Sequence, residues 1–296
     1  MRWRSRGGSR SPNGADVTLI VHRFEKAAYQ AFIDDGFGGP YLVMTLLREL
    51  RRRGVVRRVH LASDSGPRSS GVAILHVNAT VISSEYAQFA AGFDRCVNLK
   101  VTDISKRSLS TVLAEPGWPG EVFVKSNLNY GGRPEVRLNK HARMEGLAEP
   151  FPGAVAMAEY GVFPSIDDVP ADQRSDPQIL VERFVPERDE QGFATRHWVF
   201  CGTAGYCNRY VSPEPLVKGR NVISRQQAPV PEYLREIRRA RGFDFGKFDF
   251  VVHDEQVVLL DVNKTPGRIP ATGRDVESRV AVLADGLQAL IAGGST

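Results

Sequence analysis

The chain is short of cysteine and of long apolar runs, and each shortage removes a class of protein. Cys96, Cys201 and Cys207 are the three cysteines in 296 residues, and none belongs to a CxxC pair. Neither a disulfide framework nor a cysteine-based zinc site is indicated, and a reducing cytoplasm is the expected compartment. No stretch approaches the roughly 18 apolar residues that a membrane-spanning helix needs, so no membrane partner is expected. Met1 to Arg10 holds Gly, Ser and Arg but no acid and no apolar block, which argues against a secretory signal. Residues 1–13 therefore read as a disordered basic tail. That tail carries part of the net charge of +5 and the pI near 9.2. Basic residues interleaved with aromatics along one face are missing, so nucleic acid is not expected as a partner, while an oligomer is left open. No Ser-His-Asp set or Cys-His pair stands at a recognisable spacing, which leaves no expected protein nucleophile.

What is present suits a soluble globular chain: 42% hydrophobic and 25% charged residues, with a length that suggests about two domains at roughly 150 residues each. Val17 to His22 is a nearly continuous apolar run, the mark of a strand covered on both faces. A loop with Asp34, Asp35, Gly36, Gly38 and Gly39 follows. Pro40 then opens a helix running to about Arg53, with Gly54 just past its end. Arg48, Arg51, Arg52 and Arg53 crowd its C-terminus, where cations favour the helix dipole. Val56 to Ala62, Val72 to Val77 and Cys96 to Val101 read as strands, and Ser84 to Phe93 as a helix. Such alternation argues for a parallel sheet with helices packed around it. The GFGG run at Gly36 to Gly39 lacks both the GxGxxG spacing and the lysine of a phosphate loop.

Two lysines come next. Asp103 is placed to cap a helix running to about Leu113. Lys106 lies in its first turn, where a cation is unfavourable unless something anionic sits nearby. Glu121 to Lys125 reads as a strand with Lys125 facing away from Val122 and Val124. It enters a loop with Asn129, Gly131 and Gly132, whose backbone N–H groups can approach an anion, or which forms a plain turn. Ala142 to Ala171 shows no clear pattern. The strand Gln178 to Val185 breaks at Glu182 and Arg183 before Pro186 and Glu187. Such a break either ends the strand or reads an adenine edge, with Phe184 or Val185 at the ring and a carboxylate at the ribose. Arg196 to Gly202 and Tyr206 to Val211 suggest antiparallel strands carrying Arg196 and Arg209 as phosphate or carboxylate clamps. Pro231 to Ala240 reads as a helix with Leu234 and Ile237 inward and Arg235, Arg238 and Arg239 toward solvent.

The most informative stretch is Gly246 to Gly267, GKFDFVVHDEQVVLLDVNKTPG. Its alternation, broken at Asp254-Glu255-Gln256, predicts a hairpin. A turn centred near Glu255 sets Asp249 almost opposite Asp261, and Asn263 shares a strand face with Asp261. Two carboxylates facing each other among Phe, Val and Leu are costly to desolvate, and Mg2+ would relieve them while keeping positions for phosphates. The alternative is the polar outer face of an edge hairpin.

The order of lysine strand, NYGG loop, LVERFVPE hinge, GKFDFVV and LLDVNKTPG resembles the ATP-grasp superfamily, which includes D-alanine:D-alanine ligase and glutathione synthetase. The resemblance covers about Lys106 to Thr272. It implies an α/β chain in which a doubly wound parallel sheet over residues 14–104 precedes an α+β ATP-grasp domain over residues 105–296. By matching, Asp249, Asp261 and Asn263 stand at the metal-binding positions, with Asp261 where Glu is commoner. Lys106 and Lys125 stand at the nucleotide-phosphate lysines. Asn129, Gly131 and Gly132 match the phosphate loop, and Glu182, Arg183, Phe184, Val185 and Glu187 the nucleotide hinge. Lys247 stands where related ligases carry an arginine that steadies the transferred phosphoryl group, with Arg196 and Arg209 as companions. The implied activity uses ATP and Mg2+ to join a carboxylate to an amine through an acylphosphate. Kinase-like phosphoryl transfer and a degenerate nucleotide-binding protein are the alternatives. The acceptor pocket is expected from the loops 34–39, 78–80 and 267–273.

Overall fold

A computed structural model describes residues 14–66, 71–269 and 275–294. The expected basic tail, and residues 270–273 of the last acceptor loop, lie outside the described residues. Strands β1 (Ala15–Ile20), β2 (Val56–Ala62), β3 (Val72–Leu75) and β4 (Arg95–Val97) form a parallel sheet in the order β2-β1-β3-β4. Helix α1 (Lys26–Asp34), which the sequence reading left inside a loop, buries only Tyr29 completely enough to count as core. Its apolar stripe is too thin to announce itself. Helix α2 (Leu42–Arg52) places Leu46, Leu47 and Leu50 against Val17, Leu19 and Ile74. Helix α3 (Ser84–Ala90) packs Tyr86 and Phe89 against Ile20, Ala73 and Leu75 on the opposite face. The sheet is thus covered on both sides, which is why its strands read as unbroken apolar runs.

The helix expected after Asp103 does not form. Asp103 instead accepts the Ser105 N–H at 2.7 Å, and only a 3-10 turn follows, Lys106–Ser108. The reason is an edge to be covered. Residues 112–114 run extended beside a later strand, with Arg183 N–H bonded to the Val112 carbonyl at 2.8 Å and Ala114 N–H to the Val181 carbonyl at 3.0 Å. Beyond it, β5 (Val122–Ser126), α4 (Arg133–Met144), β6 (Gly161–Phe163), α5 (Ala171–Ser175) and β7 (Ile179–Arg183) build an antiparallel sheet in the order β6-β5-β7.

The largest sheet is antiparallel and contains β8 (Glu187–Asp189), β9 (Gly192–Cys201), β10 (Ala204–Ser212), β11 (Ser224–Gln227), β12 (Phe245–His253) and β13 (Gln256–Asn263). Its order is β11-β10-β9-β12-β13, with β8 on β9. Helix α6 (Glu232–Arg241) covers one face through Leu234, packed with Trp198, Phe200, Phe248 and Phe250. Arg238, expected in solvent, is 8% exposed. Its guanidinium lies 4.4 Å from the Phe200 ring centre and donates to the Phe243 carbonyl at 2.8 Å, so it closes the helix end from inside. Among the described residues no helix is long and apolar enough to cross a membrane.

Helix α7 (Val276–Ala292) closes the structure. Leu283, Ala284, Leu287 and Ile291 share one apolar cluster with α2, β1, Val199, Cys201 and Phe245. Gly286 permits the approach, since a Cβ there would sit 2.0 Å from the Cys201 carbonyl oxygen. Gly286→Ala therefore tests the packing by its sign. Helix propensity alone would make alanine stabilising by up to about 1 kcal/mol, whereas overpacking against backbone costs about 1–3 kcal/mol. Urea unfolding is expected to show a net loss of stability.

Candidate active site

The site begins with a register fault in the β12–β13 hairpin. Asp254 and Glu255 form its two-residue turn with φ values of 46° and 65°, and His253 pairs with Gln256. Such left-handed turns match the twist of the flanking strands. A regular ladder from that turn would set Asp249 opposite Leu260. Instead Phe250 pairs with Leu259 and Asp249 with Asp261, and Leu260 is the extra residue of a bulge. Because strand side chains alternate, that one-residue shift decides which face Asp261 occupies. Both carboxylates consequently line one cleft. The Leu260 carbonyl accepts the Lys125 ammonium at 2.8 Å.

The cleft lies between the β6-β5-β7 sheet and the large sheet and measures roughly 900 Å³, open solvent included. Its lining combines apolar side chains, Phe123, Phe184, Val185, Phe193, Leu216 and Val217, with the charged and polar set Lys106, Lys125, Glu182, His197, Asp249 and Asp261. Lys106 and Lys125 are both buried. The Lys106 Nζ donates to the Leu128 carbonyl at 2.7 Å and lies 3.5 Å from Asp261 Oδ1. Lys125 pairs with Glu182 at 2.7 Å. Lys247 holds Asp249 Oδ2 at 2.8 Å, and His197 Nε2 lies 3.6 Å from Asp249 Oδ1. Burial pushes the Asp249 carboxyl up, but His197 and Lys247 outweigh it and hold the group below its ordinary value. Burial also drives His197 down to about 4, against the pull of Asp249.

Asp249 Oδ1 and Asp261 Oδ1 are buried without a hydrogen-bond partner. Orphaned carboxylate oxygens on two facing strands fit a hard divalent cation. Among the described residues no three His, Cys, Asp or Glu side chains are already gathered around one point. Asn263, expected as a further ligand, turns its Oδ1 to the Thr265 N–H at 2.8 Å. It ends β13 in a local turn of its own.

Three expected groups have other employment. Arg196 and Arg209 do not line the cleft: both donate to Glu187, at 2.9 and 2.6 Å, and Arg209 also pairs with Asp189. Strand alternation is the cause, since Thr195 and His197 take the cleft side of β9 and Arg196 the other. Glu187, expected in the nucleotide hinge, is occupied by this pair and by the Val252 N–H at 2.8 Å. The glycines of the NYGG run are also spent on packing, because Gly131 accepts the Met157 N–H at 2.9 Å and a Cβ on Gly132 would stand 2.5 Å from the Val155 carbonyl oxygen. Asn129 is buried and donates to Asn78 Oδ1 at 3.2 Å. At the hinge, Glu182, Arg183, Phe184 and Val185 do line the cleft. The Phe184 N–H, however, is bonded to the Glu121 carbonyl at 2.9 Å.

The N-terminal loops meet the same hairpin. Asn78 Oδ1 accepts from Thr265 Oγ1 at 2.9 Å, and Thr80 Oγ1 donates to Glu135 at 2.6 Å. Tyr41 bridges Gly267, and the Arg268 N–H donates to the Pro40 carbonyl at 2.7 Å. Lys264 is buried in this junction with no hydrogen-bond partner for its ammonium, and burial lowers it to about 7. Sequence reasoning passed over both Lys264 and His197. The signal for each was adjacency to a residue already singled out, Asn263 in one case and Arg196 in the other.

No protein-family model matches the chain, and no curated protein matches it in sequence. Solved structures do match in fold. D-alanine:D-alanine ligase from Bacillus anthracis, complexed with ATP, is 9% identical with a TM-score of 0.51, over 94% of this chain and 95% of that one. The RimK domain protein ATP-grasp from Sphaerobacter thermophilus is 14% identical with a TM-score of 0.50, over 94% and 100%. A RiPP-associated ATP-grasp ligase from Chryseobacterium gregarium, in complex with ADP and a leader and core peptide, is 8% identical with a TM-score of 0.50, over 94% and 96%. The chain has the ATP-grasp fold.

The Glu187 cluster carries a pH-dependent prediction. Burial raises the Glu187 carboxyl, but Arg196 and Arg209 prevail and hold it below its ordinary 4.5. A depressed carboxyl stabilises the fold above the unfolded-state value, and that contribution is lost as pH falls through the folded-state value. Glu187→Gln leaves Arg196 without its carboxylate and Arg209 with Asp189 alone, so a loss of about 3 kcal/mol is expected at pH 7. In chemical denaturation, the gap from the parent protein should narrow as pH falls below 4.5.

Proposed function

We propose that this chain is an ATP- and Mg2+-dependent ligase that activates a carboxylate as an acylphosphate and passes the acyl group to an amine or a similar nucleophile. One observation carries the reading: two facing, partly orphaned carboxylates, Asp249 and Asp261, share a cleft with Lys106 and Lys125. The ATP and ADP bound by two of the solved ATP-grasp structures support it. In this reading the apolar lining residues Phe184, Val185, Leu216 and Val217 take the adenine. With the Phe184 N–H already used, the base edge is read from the groups at Val185. Lys106 and Lys125 meet the phosphates, and Lys247 steadies the transferred phosphoryl group.

Asp249 and Asp261 would hold Mg2+, which supplies charge neutralisation of the phosphates when bound. The substrate carboxylate oxygen attacks the γ-phosphorus as the bond to ADP breaks. The nucleophile then attacks the acyl carbon, phosphate leaves, and the nucleophile gives up its proton. Little covalent work falls to the protein, whose part is to place cations and exclude water. The junction at Asn78, Thr80 and Thr265 is where the acceptor approaches. The parallel sheet with α2 and α3 on opposite faces supports a doubly wound N-terminal domain, residues 14–104, before the ATP-grasp domain.

The test is trapping. With ATP, Mg2+, hydroxylamine and a panel of carboxylates, the expected products are a hydroxamate, ADP and phosphate. AMP and pyrophosphate would overturn the acylphosphate route, and ADP with a stable phosphorylated product and no hydroxamate would mark phosphoryl transfer alone. Asp261→Asn keeps size and shape, so the melting temperature should hold while ATP turnover falls by about 10- to 100-fold or more. An unchanged Mg2+ dependence in that variant contradicts the assignment.

A further inference from the structure

A second hollow lies against α6 and holds three arginines. Arg235, Arg238 and Arg239 stand at i, i+3 and i+4 on one helix face. With Thr203, Gly242 and Phe243 they line a space of roughly 570 Å³, open solvent included. None of these residues lines the cleft. Helix α6 packs on Trp198 and Phe248, whereas their chain neighbours His197 and Asp249 face the cleft. Strand alternation therefore puts the two spaces on opposite faces of the large sheet.

Cations at a helix C-terminus are ordinarily explained by the dipole, whose negative end amounts to about half an elementary charge. Three guanidiniums exceed that several-fold. Glu232, itself exposed, is shared between Arg239 at 2.7 Å and Arg235 at 3.7 Å, a surface contact that a ligand can displace at little cost. Arg238 is held by carbonyls instead. Its Nε donates to Phe243 at 2.8 Å and its Nη2 reaches the Asp244 carbonyl at 3.4 Å, while Nη1 takes part in neither bond. The Phe200 and Trp198 rings, 4.4 and 5.7 Å from its guanidinium carbon, fix the group in place. Burial, with Arg235 and Arg239 beside it, holds Arg238 below its ordinary value against the attraction of Asp244. The Asp244 carboxylate is outside the lining and accepts the Asn98 N–H at 2.7 Å. A lining with three positive groups and no acid is short of an anion.

We propose that this hollow is a second binding site, for a small phosphate-bearing anion, separate from the cleft and independent of the ligase reading. Planar guanidinium forks match phosphate oxygens two at a time. Thr203 adds a hydroxyl from the turn between β9 and β10. One carboxylate against three guanidiniums leaves two positive charges in excess, which favours a phosphate dianion or pyrophosphate over a singly charged carboxylate.

Pyrophosphate is the probe, titrated into the full chain by isothermal calorimetry at physiological ionic strength. The parent should show a site that Arg235→Gln combined with Arg239→Gln weakens about tenfold or more, whatever the cleft also binds. Both side chains are exposed, so this double variant should keep the parent's unfolding curve, and the buried Arg238 is left alone. Arg143→Gln combined with Arg174→Gln changes two arginines outside the hollow. That pair removes the same formal charge and should leave the binding intact. Pyrophosphate binding untouched by the Arg235 and Arg239 changes places the anion elsewhere, the cleft included, and overturns the proposal. Equal weakening by the two double variants, or binding seen only at low salt, marks attraction by net charge alone and overturns it as well. Hydroxamate formation does not enter the measurement, so either reading can fail while the other stands.

Discussion

One extra residue in β13 sets the arrangement of charged groups in the cleft. The bulge at Leu260 turns Asp261 to the side of Asp249 and leaves a backbone carbonyl aimed across the cleft at Lys125. Lys125 in turn pairs with Glu182 on β7, so a buried lysine ties the three-stranded sheet to the hairpin. Burying an ion pair is costly unless its remaining polar groups are satisfied. The Leu260 carbonyl, freed from the ladder, supplies one of the missing bonds. Carboxylate placement and sheet docking are therefore two results of the same irregularity, and neither survives regularising the strand.

The chain leaving the hairpin is also where several loops converge. The loop after β3 brings Asn78 and Thr80, the segment before α2 brings Pro40 and Tyr41, and the chain leaving β13 brings Lys264, Thr265 and Gly267. C-terminal ends of parallel strands leave such polar loops pointing away from the sheet. Here the loops are satisfied largely by one another. Lys264 Nζ and one oxygen of Glu135 are left buried without a hydrogen-bond partner, and the Glu135 charge offsets part of the burial that lowers Lys264.

Much of this is legible in the sequence, and the rest is hidden for definable reasons. β2 keeps its expected bounds, Val56–Ala62, and Asp249 does face Asp261, but through the Leu260 bulge and not through the turn centre read from the sequence, since a regular ladder from the observed turn opposes Asp249 to Leu260. His197 is harder to read because Trp198, Val199, Phe200 and Cys201 are all buried. A strand apolar on both faces gives no parity, so the charge on Arg196 drew attention to the wrong side. α7 escapes because its apolar positions nearly surround it and Gly286 sits mid-helix, where glycine usually marks an end. α4 starts straight after two glycines whose tight backbone packing only the folded chain reveals. The helix expected after Asp103 fails because edge coverage of β7 is a tertiary demand that overrides local propensity.

Helix α7 packs on α2 and β1 although some two hundred residues separate them in sequence. Topologically, the antiparallel sheets and the cleft are an insertion within a unit whose first strand and last described helix are neighbours. Contacts of such sequence separation slow folding, since a long loop must close before they form. During synthesis the α2 side of the first sheet stays uncovered by α7 until residue 292 has emerged. The part of the chain that holds the cleft is thus synthesised before the first sheet is fully covered, and the exposed apolar face in that interval is where aggregation or chaperone capture would begin.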